Sequence, residues 1–112
     1  HGCFNSKTVD YPIIAKKVCN SIVENKTKLG ILICGSGIGM SIAANRHRKI
    51  YAALCWNESI AKISREHDGS NILVLSSDFI SQEESIIIFR SWISAKFNDG
   101  KYQDRLSIID PD

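Results

Sequence analysis

The chain has 112 residues, 44% apolar and 23% charged, with a formal net charge of +2. This composition fits one packed domain and excludes a disordered chain. No apolar run approaches the roughly 18 residues of a membrane span, the start HGCFNSKTVDYP has no positive region leading into an apolar core, and so mild a charge gives no reason to expect nucleic acid.

In chain order, Asp10 is placed to cap a helix with Pro12 in its first turn, and Ile14, Val18 and Ile22 recur every four residues, predicting a helix over 11–25. KLGILIC, 28–34, is a short continuous apolar run, the pattern of a buried parallel strand. A helix over 38–48 starts in the following glycines. Its end carries Arg46, His47, Arg48 and Lys49, cations suited to a solvated helix terminus, with phosphate binding as the other use. IYAALC, 50–55, is a second strand, and Asn57 caps a helix through ESIAKISREH with Ile60, Ile63 and His67 at helical spacing. NILVLS, 71–76, is a third strand. Ser81 and Glu84 form a capping box for a helix carrying Ile86, Ile87, Phe89, Ile93 and Phe97. NDG, 98–100, ends it, and KYQDRLSII is a last short helix.

Alternating strands and helices with short links predict an α/β fold, a doubly wound, Rossmann-like parallel sheet flanked by helices. Three strands make a thin sheet, and His1 is not a natural initiator. Residues 1–112 are therefore expected to be a single domain lacking its N-terminal portion, with one or two strands before His1.

The chemistry concentrates at Cys34 and the turn Gly35-Ser36-Gly37-Ile38-Gly39. A dinucleotide fingerprint would need a glycine where Met40 stands, and a Walker loop fails at the same residue. A cysteine phosphatase would need an arginine where Met40, Ser41 and Ile42 stand. What is left is a cysteine beside a nest of amides. Open α/β sheets bind ligands at their strand carboxyl ends, the free amides of a helix start attract anions, and a thiol in such a place is available as a thiolate, nucleophile or base. The plain alternative is that Cys34 is a small apolar residue ending a strand. Ser36 is placed either to hydrogen-bond the thiol or to cap the turn. His67 is either a surface residue at a helix end or a functional group. Helix carboxyl ends lie at the opposite edge from strand carboxyl ends, so a functional His67 would complete a site on a second chain, which predicts a dimer. The cysteines, Cys3, Cys19, Cys34 and Cys55, form no CxxC or zinc spacing, so no metal is expected and a reducing setting fits.

GILICGSGIGMSIAANR (30–46) followed by AALCWNESIAKISREHDGSNILVLSS (52–77), with DYP at 10–12 and DGKYQDRLSII at 99–109, closely resembles the ribose-5-phosphate isomerase B family, to which galactose-6-phosphate isomerase subunits also belong. The resemblance implies a homodimer, or a tetramer built from it, with the active site between subunits; the cysteine usage already points to the cytoplasm. It implies aldose–ketose isomerisation of ribose 5-phosphate and ribulose 5-phosphate through a cis-enediolate, with a small sugar phosphate as partner and no cofactor. Carried onto this sequence, Cys34 is the base that takes the C2 proton and Ser36 hydrogen-bonds it. The backbone of Gly35, Gly37, Ile38 and Gly39 stabilises the enediolate oxygen. His67 helps open the furanose ring, with Asp68 beside it where an asparagine is usual. Tyr11 contacts substrate, and Arg105 binds phosphate together with Lys101, which stands where many members carry arginine. Asp78 stands where many carry a further arginine, and the Asp-His pair with which the family begins is not in this sequence. Two other functions are carried alongside: isomerisation of a hexose 6-phosphate of the allose or galactose type, and a non-catalytic sugar-phosphate-binding module in which Cys34 is structural.

Overall fold

The computed structural model describes residues 10–111; Cys3 and any strand before His1 lie outside them. Helix α1 (Tyr11–Val23) is followed by β1 (Gly30–Cys34), α2 (Ile38–Asn45), β2 (Ala52–Leu54), α3 (Glu58–Asp68), β3 (Ile72–Ser76), α4 (Gln82–Ser94) and α5 (Lys101–Ile109). The three strands form one parallel sheet in the order β1-β3-β2, with Cys34 opposite Ser76 and Gly30 opposite Ile72.

The central strand explains the layering. All five residues of β3 are buried, as expected of a strand covered on both faces. Ile72 and Val74 join Leu32, Ala15, Cys19, Met40 and Ala44 in one core under α1 and α2. Leu73 and Leu75 join Cys55, Ala61, Ile88 and Trp92 in the other, under α3 and α4. Alternate side chains of one strand thus seed two cores. The crossovers β1–α2–β2 and β2–α3–β3 lie on opposite faces, which makes the sheet doubly wound, as expected. β1 and β2 are the two edge strands of the described sheet, and Ile31 and Ile33 of β1 are exposed.

Several boundaries fall inside the expected ones, each for a local reason. Asp10 stands at the N-cap of α1 but its side chain makes no capping bond. Pro12 has no N–H to offer, and the Ile13 amide is taken by the Asp10 carbonyl at 3.1 Å. α1 stops at Val23 because Asn25 turns left-handed, φ 60°, and donates to the Ile22 carbonyl. α2 stops at Asn45, whose side chain leaves the helix to bridge the Ala52 amide and carbonyl at 2.8 and 2.9 Å. The basic run begins at the end of this helix, as expected, with Arg46 at its C-cap and the His47 amide on the Ala44 carbonyl at 3.1 Å, and then continues into contacts with residues 110 and 111. Arg48 donates to the Pro111 carbonyl, and Lys49 donates to Asp110 from both its amide and its ammonium group. The Ser81–Glu84 capping box forms in both directions.

Candidate active site

The strand carboxyl edge is built almost entirely from backbone. β1 delivers Cys34 half-buried to that edge. The turn from β3 closes over it: the Ser77 amide donates to the Cys34 carbonyl at 2.9 Å and the Asp78 amide to the Gly35 carbonyl at 3.0 Å. Gly37 then adopts φ +80°, and a Cβ there would lie 2.5 Å from Leu54 Cδ1. Only glycine fits both constraints. This reversal turns the Gly37 N–H back onto Cys34 Sγ at 3.1 Å. α2 begins at once, and its first amides, at Ile38, Gly39 and Met40, have no intrahelical acceptor.

Cys34 differs in kind from the other described cysteines. Cys19 and Cys55 are fully buried. Burial pushes the Cys19 thiol up to about 11, and burial likewise raises Cys55 against a weaker opposing hydrogen bond with Ser64. Those two are packing groups. Of the three described cysteines, only Cys34 is accessible and faces a backbone donor.

Ser36 corrects one expectation. Its hydroxyl accepts from the Ile38 amide at 3.2 Å, while the sulfur is met by Gly37 instead. The side chain of a serine at a helix start reaches the amide two residues on more readily than a group two residues back. In this state the Gly37 and Ile38 amides are engaged by Cys34 and Ser36, so Gly39 and Met40 carry the open part of the nest. Tyr11 comes to the same place: a Cβ on Gly39 would lie 2.8 Å from its ring. So does the Asp78 carboxylate, 2.6 Å from where a Cβ on Gly35 would stand.

The other named residues lie at the opposite edge. α3 runs back along the sheet and ends in an αL cap at Gly69, three residues before β3 begins. His67 therefore sits by the amino ends of the strands, about 13 Å of strand away from Cys34 at roughly 3.3 Å per residue. Its ring stacks on Tyr102, centroids 4.5 Å apart and planes 5° from parallel. The Lys101 ammonium and Arg105 guanidinium lie over the same tyrosine, at 5.2 and 5.7 Å. Asp68 is exposed beside them. The eleven residues named from the sequence thus fall into two groups: Tyr11, Cys34, Ser36, Gly35, Gly37, Ile38 and Gly39 at one edge, His67, Asp68, Lys101 and Arg105 at the other.

Two features escaped the sequence reading. Tyr102 is one; an aromatic between Lys101 and Arg105 on one helix was its signal. The other is the buried polar knot behind His67. Ser70 Oγ accepts from Trp92 Nε1 at 2.8 Å and pairs with Ser64 Oγ at 2.9 Å, and the Ser70 carbonyl accepts from Arg65 at 2.7 Å. Two serines near a helix end carry no such signal. Among the described residues no cluster of His, Cys, Asp or Glu could hold a metal ion, and no helix is long and apolar enough to cross a membrane.

The sequence pattern of the ribose/galactose isomerase family matches residues 1–109. The chain belongs to this family. Family members of known structure superpose on it closely. A ribose 5-phosphate isomerase of Thermotoga maritima is 45% identical, with a TM-score of 0.95 over 98% of this chain and 76% of that one. The ribose-5-phosphate isomerase B of Mycoplasma genitalium, solved with bound ribulose-5-phosphate, is 39% identical, with a TM-score of 0.88 over 97% and 72%. By sequence, the ribose-5-phosphate isomerase B of Escherichia coli is 35% identical over 96% of this chain and 72% of its own.

Proposed function

We propose that this member of the isomerase family interconverts ribose 5-phosphate and ribulose 5-phosphate. Cys34 takes the C2 proton of the open-chain aldose; the electron pair becomes the C1=C2 bond and negative charge collects on O1. The open amides of the glycine turn receive that charge. The proton returns at C1 and a hydroxyl proton passes from O2 to O1, completing the ketose. A preorganised nest is worth most where charge develops, and a proton carrier working near neutral pH suits a thiol. Ser36 holds the turn through Ile38. His67 serves the earlier step, furanose opening, in which C1–O4 breaks, C1=O1 forms, one proton leaves O1 and one reaches O4. Lys101 and Arg105 hold the phosphate, Arg105 as a planar fork, with Asp68 and Tyr11 as further substrate contacts.

The observation that carries this reading is the half-buried Cys34 sulfur held by the Gly37 amide at a strand carboxyl end. The separation of the two edges supports a second inference. One chain does not bring its own His67, Lys101 and Arg105 to its own Cys34, so the working unit is a homodimer in which each site pairs the Cys34 edge of one subunit with the His67 edge of the other. Ile38, Trp56 and Phe79, 57%, 58% and 76% exposed, stand around the Cys34 edge, and exposed apolar side chains gathered round a mouth call for a covering surface. We place the enzyme in the cytoplasm, a reading supported by the free thiols of Cys19, Cys34 and Cys55.

The test is isomerisation of ribose 5-phosphate by the wild type and by Cys34→Ala. Turnover is expected to fall by about 10²–10⁴-fold, the range lost with a general base, with an unchanged melting temperature. Activity within a few-fold of wild type would remove Cys34 from the reaction. A wild type inert on ribose 5-phosphate but active on a hexose 6-phosphate would overturn the substrate and keep the chemistry.

A further inference from the structure

The stack at the far edge has more order than a surface histidine needs. His67 occupies the last turn of α3 and is half-buried. A ring so placed rotates freely unless something holds it. Tyr102 lies parallel to it at 4.5 Å, and α5, which carries Tyr102, is itself fixed to the end of α3. The Asn98 amide donates to the Glu66 carbonyl at 3.0 Å. Leu106 and Phe97 close on Gly69, where a Cβ would meet them at 3.1 and 3.4 Å. The helix that carries the tyrosine is thus tied to the end of the helix that bears His67, and Lys101 and Arg105 lie over the same ring.

We propose that Tyr102 is a positioning residue: its ring, stacked on the imidazole, fixes the plane of His67 for furanose opening, so that the ring oxygen is met in one geometry. This rests on the reading that His67 opens the ring. A group that must meet one ring oxygen while the phosphate is clamped tolerates little rotation, and a misplacement of about 1 Å costs on the order of a hundredfold in rate. The contact Tyr102 supplies is a face; its hydroxyl is not needed for it.

The experiment separates ring opening from proton transfer. Ribulose 5-phosphate has no free 5-hydroxyl with which to form a furanose, so solvent deuterium exchange at its C1, followed by NMR in deuterium oxide, reads the Cys34 step alone. Tyr102→Leu is expected to lose about ten- to a hundredfold in kcat on ribose 5-phosphate while C1 exchange stays within about threefold of wild type. Tyr102→Phe, which keeps the face, is expected to restore both. Retained exchange also proves that the variant is folded; should Tyr102→Leu fail to fold, Tyr102→Gln takes its place. Equal losses of turnover and exchange in a folded variant, or wild-type turnover, would overturn the proposal. His67→Ala is run beside it. If it too leaves turnover intact, the ring-opening role of His67 has failed. If it separates the two readouts and Tyr102→Leu does not, only the role of Tyr102 has failed.

Discussion

The two edges of the sheet carry the candidate chemistry in opposite ways. At the carboxyl edge the sulfur of Cys34 is positioned by main chain: a strand end, a glycine at φ +80° and the first amides of α2. At the amino edge His67, Tyr102, Lys101 and Arg105 are positioned by one another and by helix packing. A backbone-built edge tolerates little change at its turn and much elsewhere. A side-chain-built edge depends on every ring and every packed residue behind it. Neither edge alone holds both a proton carrier and the cations a phosphate wants, and joining them across two subunits is what the isomerase reading requires.

That requirement gives the largest expected effect. Cys34→Ala and His67→Ala proteins, each of low activity alone, are mixed, unfolded together and refolded. In a two-fold dimer every mixed molecule regains one intact site of two, so an equal mixture should recover about a quarter of wild-type turnover. No recovery, with mixed dimers verified by mass spectrometry, would show that each site is built within one subunit and would break the comparison.

The carboxyl edge is tested next through Gly37→Ala. The new Cβ would stand 2.5 Å from Leu54 Cδ1 and 3.3 Å from Val74 Cγ1 in a left-handed conformation, strain of about 1–3 kcal/mol. The turn must move, and the amide now 3.1 Å from Cys34 Sγ moves with it. Activity should fall about a hundredfold, more than the modest loss in melting temperature explains. The same substitution at Gly100, also at positive φ but with nothing within 4 Å of its Cβ and at the other edge, should leave C1 exchange on ribulose 5-phosphate, the Cys34 step, nearly unchanged. An equal loss of that exchange at both would mean that strain alone, and not aim at the sulfur, accounts for Gly37.

This difference also decides what the sequence could tell. The carboxyl edge was legible because its determinants are local: an apolar run, a cysteine and three glycines within nine residues, 31–39, are read off in order, and the α/β alternation followed from the same period and cap signals. Even the separation of His67 from Cys34 followed from helix direction. The stack on Tyr102 was not legible, because it joins α3 to α5 across 35 positions, nor was the Ser36 hydroxyl's choice of the Ile38 amide over the Cys34 sulfur, which turns on a torsion angle. The residues Asn45, Asn71 and Asp110 act at the ends of α2 and β2 through side-chain bonds to backbone 7, 20 and 61 positions away, and no period in the sequence encodes those.

The knot behind His67 gives a smaller effect. Ser70→Ala leaves the indole N–H of Trp92, buried at 0% exposure, without its acceptor at 2.8 Å, and an orphaned buried donor costs about 1–3 kcal/mol. Thermal and urea unfolding should register that loss. Because Ser70 lies three residues after His67, kcat on ribose 5-phosphate should fall a few-fold while C1 exchange on ribulose 5-phosphate, a property of the other edge, holds. Exchange falling as much as turnover would mean that the two edges are one cooperative unit.

The smallest effect lies at the clamp on Asp110, the C-cap of α5. Tyr51 donates to Asp110 Oδ2 at 2.7 Å and the Lys49 amide donates to the same oxygen at 2.9 Å. That hydrogen bond from Tyr51, with lesser help from the Lys49 amide and the charges of Arg48 and Lys49, holds the Asp110 carboxyl below the usual range. Burial, then the bond and the negative charge of Asp110, push the Tyr51 hydroxyl up to about 12. The signs are opposite. A depressed carboxyl stabilises the fold above its unfolded value, about 3.9, and that contribution vanishes as pH falls through the folded value. A raised phenol stabilises it below about pH 10 and loses that between about 10 and 12. Tyr51→Phe should therefore melt slightly below wild type between pH 5 and 9, a window in which both groups keep their charge state, and the gap should close on both the acid and the alkaline side. A gap that is constant across pH would mean that Tyr51 acts through packing alone, and a helix end held by packing would need no charge at Asp110.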